Sequence, residues 1–298
     1  MPTLAPTTHS LPAMPDVESS LENAVATLAA AGVPGARVDA ELLVGHVLGM
    51  SRGEVQARAI TGHTVPDAAA LEIIELVERR AAREPLQHIT GRAPFRSIEL
   101  SVGPGVFVPR PETEQVAQFA IDALRAVPGE SPIGVDLGTG SGAIALAMAT
   151  EVPHARVFGV EVSPLAFVWT KQNFREHGGT NTRAVFIDLA DALPELDGSV
   201  DVVISNPPYI PTGAIPRDPE VRLHDPEIAL YGGEDGLEVV RQVSVTARRL
   251  LHDGGTLVLE HGELQAAAIA ALLRADGWHA VASHRDLLGR DRATTALR

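Results

Sequence analysis

The sequence predicts an α/β protein in which a small helical domain precedes a parallel sheet covered by helices on both faces. Three observations carry this. Between residues 21 and 83 apolar side chains recur at helical spacing. After Glu112, short apolar runs rich in β-branched residues alternate with helical stretches. Between the two, residues 85–109 mix alternation with Gly103-Pro104-Gly105, which reads as a hairpin.

The helical part reads as three helices. Leu21, Val25, Leu28 and Ala29 share one face of the first, and Gly32 with Pro34 ends it. Residues 39–50 form the second, with Leu42, Leu43 and Val47 on one face. Residues 67–83 form the third, with Leu71, Ile74 and Val77 inside. Residues 17–91 are expected to form this bundle, which carries no chemical motif. Residues 92–108 are expected to be a β-hairpin linker, using Phe95, Ile98, Leu100, Val102, Val106 and Val108. Apolar runs at Ile133–Leu137, 157–160, 184–187, Val200–Ser205 and 256–260 assign 109–298 to the sheet domain. Ser163-Pro164 starts a helix, with serine as N-cap and proline at the first helical position.

With 298 residues and 45% hydrophobic content, the chain can bury a core, although aromatics make up only 4%. The net charge of -14 disfavours general binding to phosphate backbones. The absence of cysteine removes disulfides, thiolate catalysis and cysteine-ligated metals. No apolar run is long enough to span a bilayer. Residues 1–16 lack a basic start and an apolar stretch, so they read as a disordered tail rather than a signal peptide. A cytoplasmic location is expected.

Gly138-Thr139-Gly140-Ser141-Gly142 follows the first strand and opens a helix. Glycines there let a ligand approach the backbone, at the sheet edge where open α/β folds bind ligands. The second strand ends at Glu161, placed to accept bonds from a ribose diol. Loop and acid together read as a nucleoside-cofactor site. Gly138, Gly140 and Ala143 also satisfy a loose dinucleotide fingerprint, so hydride transfer stays open at this point.

The fourth strand runs into Asn206-Pro207-Pro208-Tyr209. Two prolines stiffen the backbone and remove two donors, leaving carbonyls and the Asn206 side chain as acceptors. A planar NH2 group brings two donors, which Asn206 Oδ1 and the Pro207 carbonyl can share, with Tyr209 covering its face. An amide nitrogen is a poor nucleophile, and two acceptors both aim it and stabilise the charge it develops.

Asn206-Pro207-Pro208-Tyr209, with Asp136-Leu137-Gly138-Thr139-Gly140-Ser141-Gly142, resembles the amino-methyltransferases. Further segments narrow the resemblance to the release-factor glutamine N5-methyltransferases, class I enzymes that use S-adenosylmethionine. These are Pro85-Leu86-Gln87-His88-Ile89-Thr90-Gly91 and Phe107-Val108-Pro109-Arg110-Pro111-Glu112-Thr113-Glu114. His224-Asp225-Pro226-Glu227, the run from Gly232 to Gly236, and Leu259-Glu260-His261-Gly262 join them. The resemblance covers residue 21 to the end. It implies a seven-stranded, Rossmann-like methyltransferase domain, with last strands at 279–284 and 292–297, behind a helical substrate-recognition domain.

The resemblance implies that the substrate is the glutamine of the Gly-Gly-Gln motif in class-1 peptide-chain release factors, with no direct nucleic-acid, membrane or metal partner. Gly138, Thr139, Gly140, Ser141 and Gly142 would line the methionine and ribose of the cofactor, and Glu161 would hold the ribose. Asp188 and Leu189 would flank the adenine. Asn206, which would also touch the cofactor, would clamp the amide together with Pro207, Pro208 and Tyr209. Glu161 stands where many relatives have Asp, and Leu189 where some have Trp.

Competing readings are weaker on the residues. A DNA or RNA adenine N6-methyltransferase shares the Asn-Pro-Pro-Tyr chemistry but needs a basic groove and base flipping. A nicotinamide oxidoreductase gives that tetrapeptide no role, and a partner-binding scaffold leaves the loop, acid and clamp unexplained. Arg110, stiffened by prolines, is expected to bridge to an acid. His261 beside Glu260 reads as a hydrogen-bonded histidine at a strand end rather than a metal ligand. Arg285, Arg290 and Arg292 read as a solvated basic face.

Overall fold

The structure, a computed structural model, describes residues 15–298. Most of the expected tail lies outside them, but Pro15 and Asp16 belong to the fold. The Pro15 carbonyl accepts from the Val65 amide at 2.7 Å. Asp16 caps α1 (Val17–Ala30), its Oδ1 accepting from the Ser19 amide at 2.8 Å.

The described residues up to Thr90 form one compact unit and Gly91–Arg298 a second. In the first, α1, α2 (Ala36–Leu48), α3 (Arg52–Ile60), α4 (Asp67–Ala81) and α5 (Leu86–Thr90) enclose Leu21, Leu28, Leu43, Val44, Val55, Ile73 and Val77. The short helices α3 and α5 go beyond the three expected. A capping box, Ser51 with Glu54, starts α3. The inner face of α4 also differs from expectation. Leu71 and Ile74 are 68% and 54% exposed, while Ile73, Leu76, Val77 and Arg80 face inward. The helix carries apolar residues on more than one stripe, and the buried stripe also carries Arg80, paired with Asp39 at 2.8 Å. On α2, likewise, Leu42 is exposed and Val44 buried.

The second unit begins with a hairpin, β1 (Arg92–Phe95) and β2 (Ile98–Ser101). Its turn is Arg96-Ser97, not the expected Gly103-Pro104-Gly105. Arg96 takes a left-handed φ of 52°, and its guanidinium holds Gln118 at 2.6 Å and Glu151. The glycine turn serves close packing instead: a side chain at Gly103 would collide with Trp169. Asn173 donates to the Ser101 carbonyl at 2.9 Å and accepts from its amide at 2.7 Å. The hairpin is thus fastened to the sheet unit.

There follow α6 (Pro111–Ala126), β3 (Ile133–Leu137), α7 (Ala143–Glu151), β4 (Arg156–Glu161), α8 (Pro164–His177), β5 (Thr182–Phe186), β6 (Val200–Ser205), α9 (Pro219–His224), α10 (Glu227–Leu230), α11 (Glu238–Leu250), β7 (Leu251–Glu260), α12 (Ala266–Ala275), β8 (His279–Arg285) and β9 (Asp291–Leu297). The seven-stranded sheet has the order β5-β4-β3-β6-β7-β9-β8. The first five strands in that order pair in parallel, as expected. The two last strands complete the sheet, β9 running antiparallel to both β7 and β8, the latter joined to it by a short turn.

Alternation along the strands divides the core. Val202 and Ile204 face one layer with Ile121, Leu124, Leu146 and Met148. Val135, Leu137, Val203 and Leu257 face the other, with Leu250, Ile269 and Trp278. The chain reverses its direction of progress across the sheet between β3 and β6. Their carboxyl ends therefore flank the crevice where an open sheet admits a ligand.

Candidate active site

That crevice opens into a cavity of about 990 Å³, room for a nucleoside-sized group together with a side chain. On one side β3 ends in the glycine loop. Gly138 and Gly140 adopt φ of 77° and 57°, and no atom lies within 4 Å of where their Cβ would be. The backbone there is bare toward the cavity. Gly142 does not line the cavity; its would-be Cβ meets Phe174 at 2.8 Å, so it packs the loop against α8.

The loop is held from beneath by groups with no exposure. Asp136 Oδ2 accepts from Thr139 Oγ1 at 2.6 Å and from the Ala145 amide at 3.2 Å. Burial raises the Asp136 carboxyl to about 7. Thr170 donates to the Gly140 carbonyl at 2.6 Å, and Asn173 to that of Ser141 at 2.9 Å.

Glu161 closes this side. Its Oε2 accepts from the Gly140 amide at 2.8 Å, and Oε1 from Val162 and Ser163 at 2.9 and 2.7 Å. The carboxylate is thereby fixed at the rim with lone pairs to spare. Asp188 and Leu189 line the far end, where Asp188 caps a short 3-10 turn through the Ala190 amide at 2.9 Å.

On the other side, β6 delivers Asn206, Pro207, Pro208 and Tyr209 to the same cavity. The segment from Leu230 to Gly236 braces them. Ile210 donates to the Leu230 carbonyl at 2.8 Å, and Gly232 to that of Ile210 at 2.9 Å. Gly232 lies so close to the Pro208 carbonyl that no side chain fits. Gln265 donates to the Tyr209 carbonyl at 2.9 Å. Among the described residues, no backbone hydrogen bond ends on the Pro207 carbonyl. Burial, then the Glu260 carboxyl, pushes the Tyr209 phenol up to about 12 and keeps it protonated.

Several residues important to the site went unassigned in the sequence. Asp136 and Glu260 are acids inside or ending apolar strands, which was the available signal. Glu260 is 2% exposed, and burial raises it to about 7. Arg110 bridges to Asp225 at 2.7 Å, the acid that its stiff context predicted without naming. His261 is buried and paired with Thr294 Oγ1 at 2.9 Å. Arg292 departs from the expected solvated face: it is buried, lines the cavity and donates to the His261 carbonyl at 3.3 Å.

Comparison with known proteins places this geometry. Residues 19–91 match the PrmC N-terminal domain and residues 98–217 the methyltransferase small domain. The release factor glutamine methyltransferase of Streptomyces coelicolor is 50% identical over 281 residues, 93% of this chain and 96% of that protein. The chain belongs to the release factor glutamine methyltransferase family. The Mycolicibacterium smegmatis member is 46% identical over 96% of this chain and 99% of its own length. A 4-amino-L-phenylalanine/4-methylamino-L-phenylalanine methyltransferase of Streptomyces pristinaespiralis is 41% identical, over 96% of each chain. Among solved structures, the hMettl16 catalytic domain in complex with MAT2A 3'UTR hairpin 1 is similar in fold. Its TM-score is 0.51 at 18% identity, covering 80% of this chain and 84% of that one. S-adenosylmethionine is the methyl donor of this enzyme, and the bare glycine backbone with the fixed Glu161 carboxylate fits it.

Proposed function

We propose that this protein transfers a methyl group to the side-chain nitrogen of the glutamine in the Gly-Gly-Gln motif of class-1 peptide-chain release factors. The observation that carries the reading is the meeting of two features in one cavity: the glycine loop with Glu161, and the braced Asn206-Pro207-Pro208-Tyr209. When bound, S-adenosylmethionine supplies an electrophilic methyl group on sulfonium sulfur.

Gly138, Thr139, Gly140 and Ser141 would cradle the donor, Glu161 would accept from its ribose hydroxyls, and Asp188 and Leu189 would flank its base. Asn206 Oδ1 and the Pro207 carbonyl each accept one N–H of the glutamine amide. That removes rotational freedom and directs the nitrogen lone pair. Tyr209, neutral and fixed by its carbonyl bond, covers the amide plane. As the nitrogen gains positive charge, the two acceptors strengthen their bonds, and the proton it loses after transfer passes to solvent.

The first unit serves release-factor recognition in this reading. Its support is a helical bundle without catalytic groups that nevertheless exposes Leu71 and Ile74 one turn apart on α4. The adenine N6-methyltransferase alternative is not favoured by the relatives. A methyl-transfer assay offering a release factor, an adenine-containing oligonucleotide and 4-amino-L-phenylalanine side by side tests the assignment. Transfer confined to the release factor is expected; preference for either other substrate refutes it.

A further inference from the structure

An asparagine side chain presents an oxygen and an NH2 group of nearly equal size, so something must decide which of the two faces the substrate. In β6 and β7, Ser205 pairs with Leu259, which brings the next residues, Asn206 and Glu260, side by side as they leave the sheet. Asn206 lines the cavity and Glu260 does not. Glu260 is almost fully buried beside it.

We propose that Glu260 is a positioning residue for Asn206, an acceptor placed behind its amide that draws Nδ2 inward and leaves Oδ1 facing the cavity. This rests on the reading of Asn206 as a clamp for the substrate amide.

The carboxyl faces Thr113 and Arg292 as well as Asn206. Among the described residues Glu260 forms no salt bridge. The nearby Arg292 of β9 turns its guanidinium to the His261 carbonyl and lies 3.8 Å from Asp286. Glu260 Oε2, Arg292 Nε and Thr113 Oγ1 are all buried without a hydrogen bond of good geometry. The groups facing Glu260 are Thr113 and Glu112 of α6, Arg292 of β9, and Asn206 and Tyr209 after β6. All five line the cavity, and Asn206 is the one among them whose amide has two orientations to choose between.

An ionised carboxylate only accepts, so it specifies one orientation of the asparagine amide. A protonated one also donates and allows the reverse orientation. The arrangement therefore predicts an acid limb in turnover: kcat falls as Glu260 takes up a proton.

The test compares wild type, E260A, E260Q, N206A and the double variant N206A/E260A. It measures kcat under saturating S-adenosylmethionine and release factor, with S-adenosylhomocysteine affinity as the control for an intact fold. E260A should lower kcat by about 10-fold or more with cofactor affinity retained. E260Q, which like the protonated acid can donate as well as accept, should hold kcat at the reduced level of the acid limb at every pH and show no acid limb of its own. The double variant should be no slower than N206A alone. Wild-type kcat in a folded E260A, or losses that multiply in the double variant, overturns the proposal. If E260A does not fold, the pH profile decides: an identical acid limb in wild type and E260Q overturns it. Wild-type turnover in N206A removes the clamp itself, whereas an impaired N206A beside a fully active E260A removes only the role of Glu260.

Discussion

The Arg110 guanidinium donates to Asp225 Oδ2 at 2.7 Å, joining the loop before α6 to the residue between α9 and α10. It also stacks over Phe107 at 5.0 Å. The Asp225 side chain has no exposure, and burial lifts its carboxyl to about 6 despite the neighbouring cation. Removing Arg110 leaves a buried acid without its partner. Arg110→Ala should lose about 1–3 kcal/mol of stability in urea unfolding, and adding Asp225→Asn should restore part of it. An unchanged unfolding midpoint would show that the pair contributes nothing.

Glu161 is fixed by three backbone amides and still has lone pairs for a ligand. Glu161→Ala should weaken S-adenosylhomocysteine binding by roughly 1–3 kcal/mol, read by calorimetry. NADH should not bind wild type. Tight NADH binding without a response to S-adenosylhomocysteine would return the glycine loop to the dinucleotide reading.

Asp136 gives a pH dependence with a definite sign. Its folded pKa, about 7, lies above the ordinary 3.8. The folded state thus holds a proton that the unfolded chain releases. The stability from this group is fully present below 3.8 and is lost as pH rises through about 7. Asp136→Asn cannot ionise, so its stability relative to wild type should improve by about 2 kcal/mol between roughly pH 5 and pH 8. A difference that does not change with pH would mean the carboxyl titrates normally.

Leu71 and Ile74 test the first unit. Replacing both with Asp should leave kcat nearly unchanged and raise KM for the release factor by about 10-fold, the effect of losing a small apolar contact. The measurement is steady-state methylation of the intact factor. Full efficiency in the double variant would separate these helices from recognition.

Much of the sheet was legible because buried parallel strands are short continuous apolar runs between helices, and Ile133–Leu137 and Val200–Ser205 begin and end where the pattern does. The site was legible where its chemistry is contiguous: the glycine loop, and the four residues after β6. What escaped depends on partners distant in sequence. The hairpin turn uses Arg96, whose left-handed backbone is stabilised through Gln118 and Glu151, so no glycine marks it. The direction of β9 follows from its pairing, not its composition. Arg110 and Asp225 are 115 residues apart, and Glu260 gains its surroundings only when β6, β7, β9 and α6 converge. The helix α3 was announced by Ser51 and Glu54, a local signal that its sparse apolar content obscured.

The clamp at Asn206 is most directly tested by mass spectrometry of a class-1 release factor after incubation with this protein and S-adenosylmethionine. The wild-type protein should add one methyl group to the side-chain nitrogen of the Gly-Gly-Gln glutamine. Asn206→Ala should slow that transfer by on the order of 10²-fold while binding S-adenosylhomocysteine nearly as before. A methyl group on any other residue, or wild-type transfer by Asn206→Ala under saturating cofactor, would contradict it.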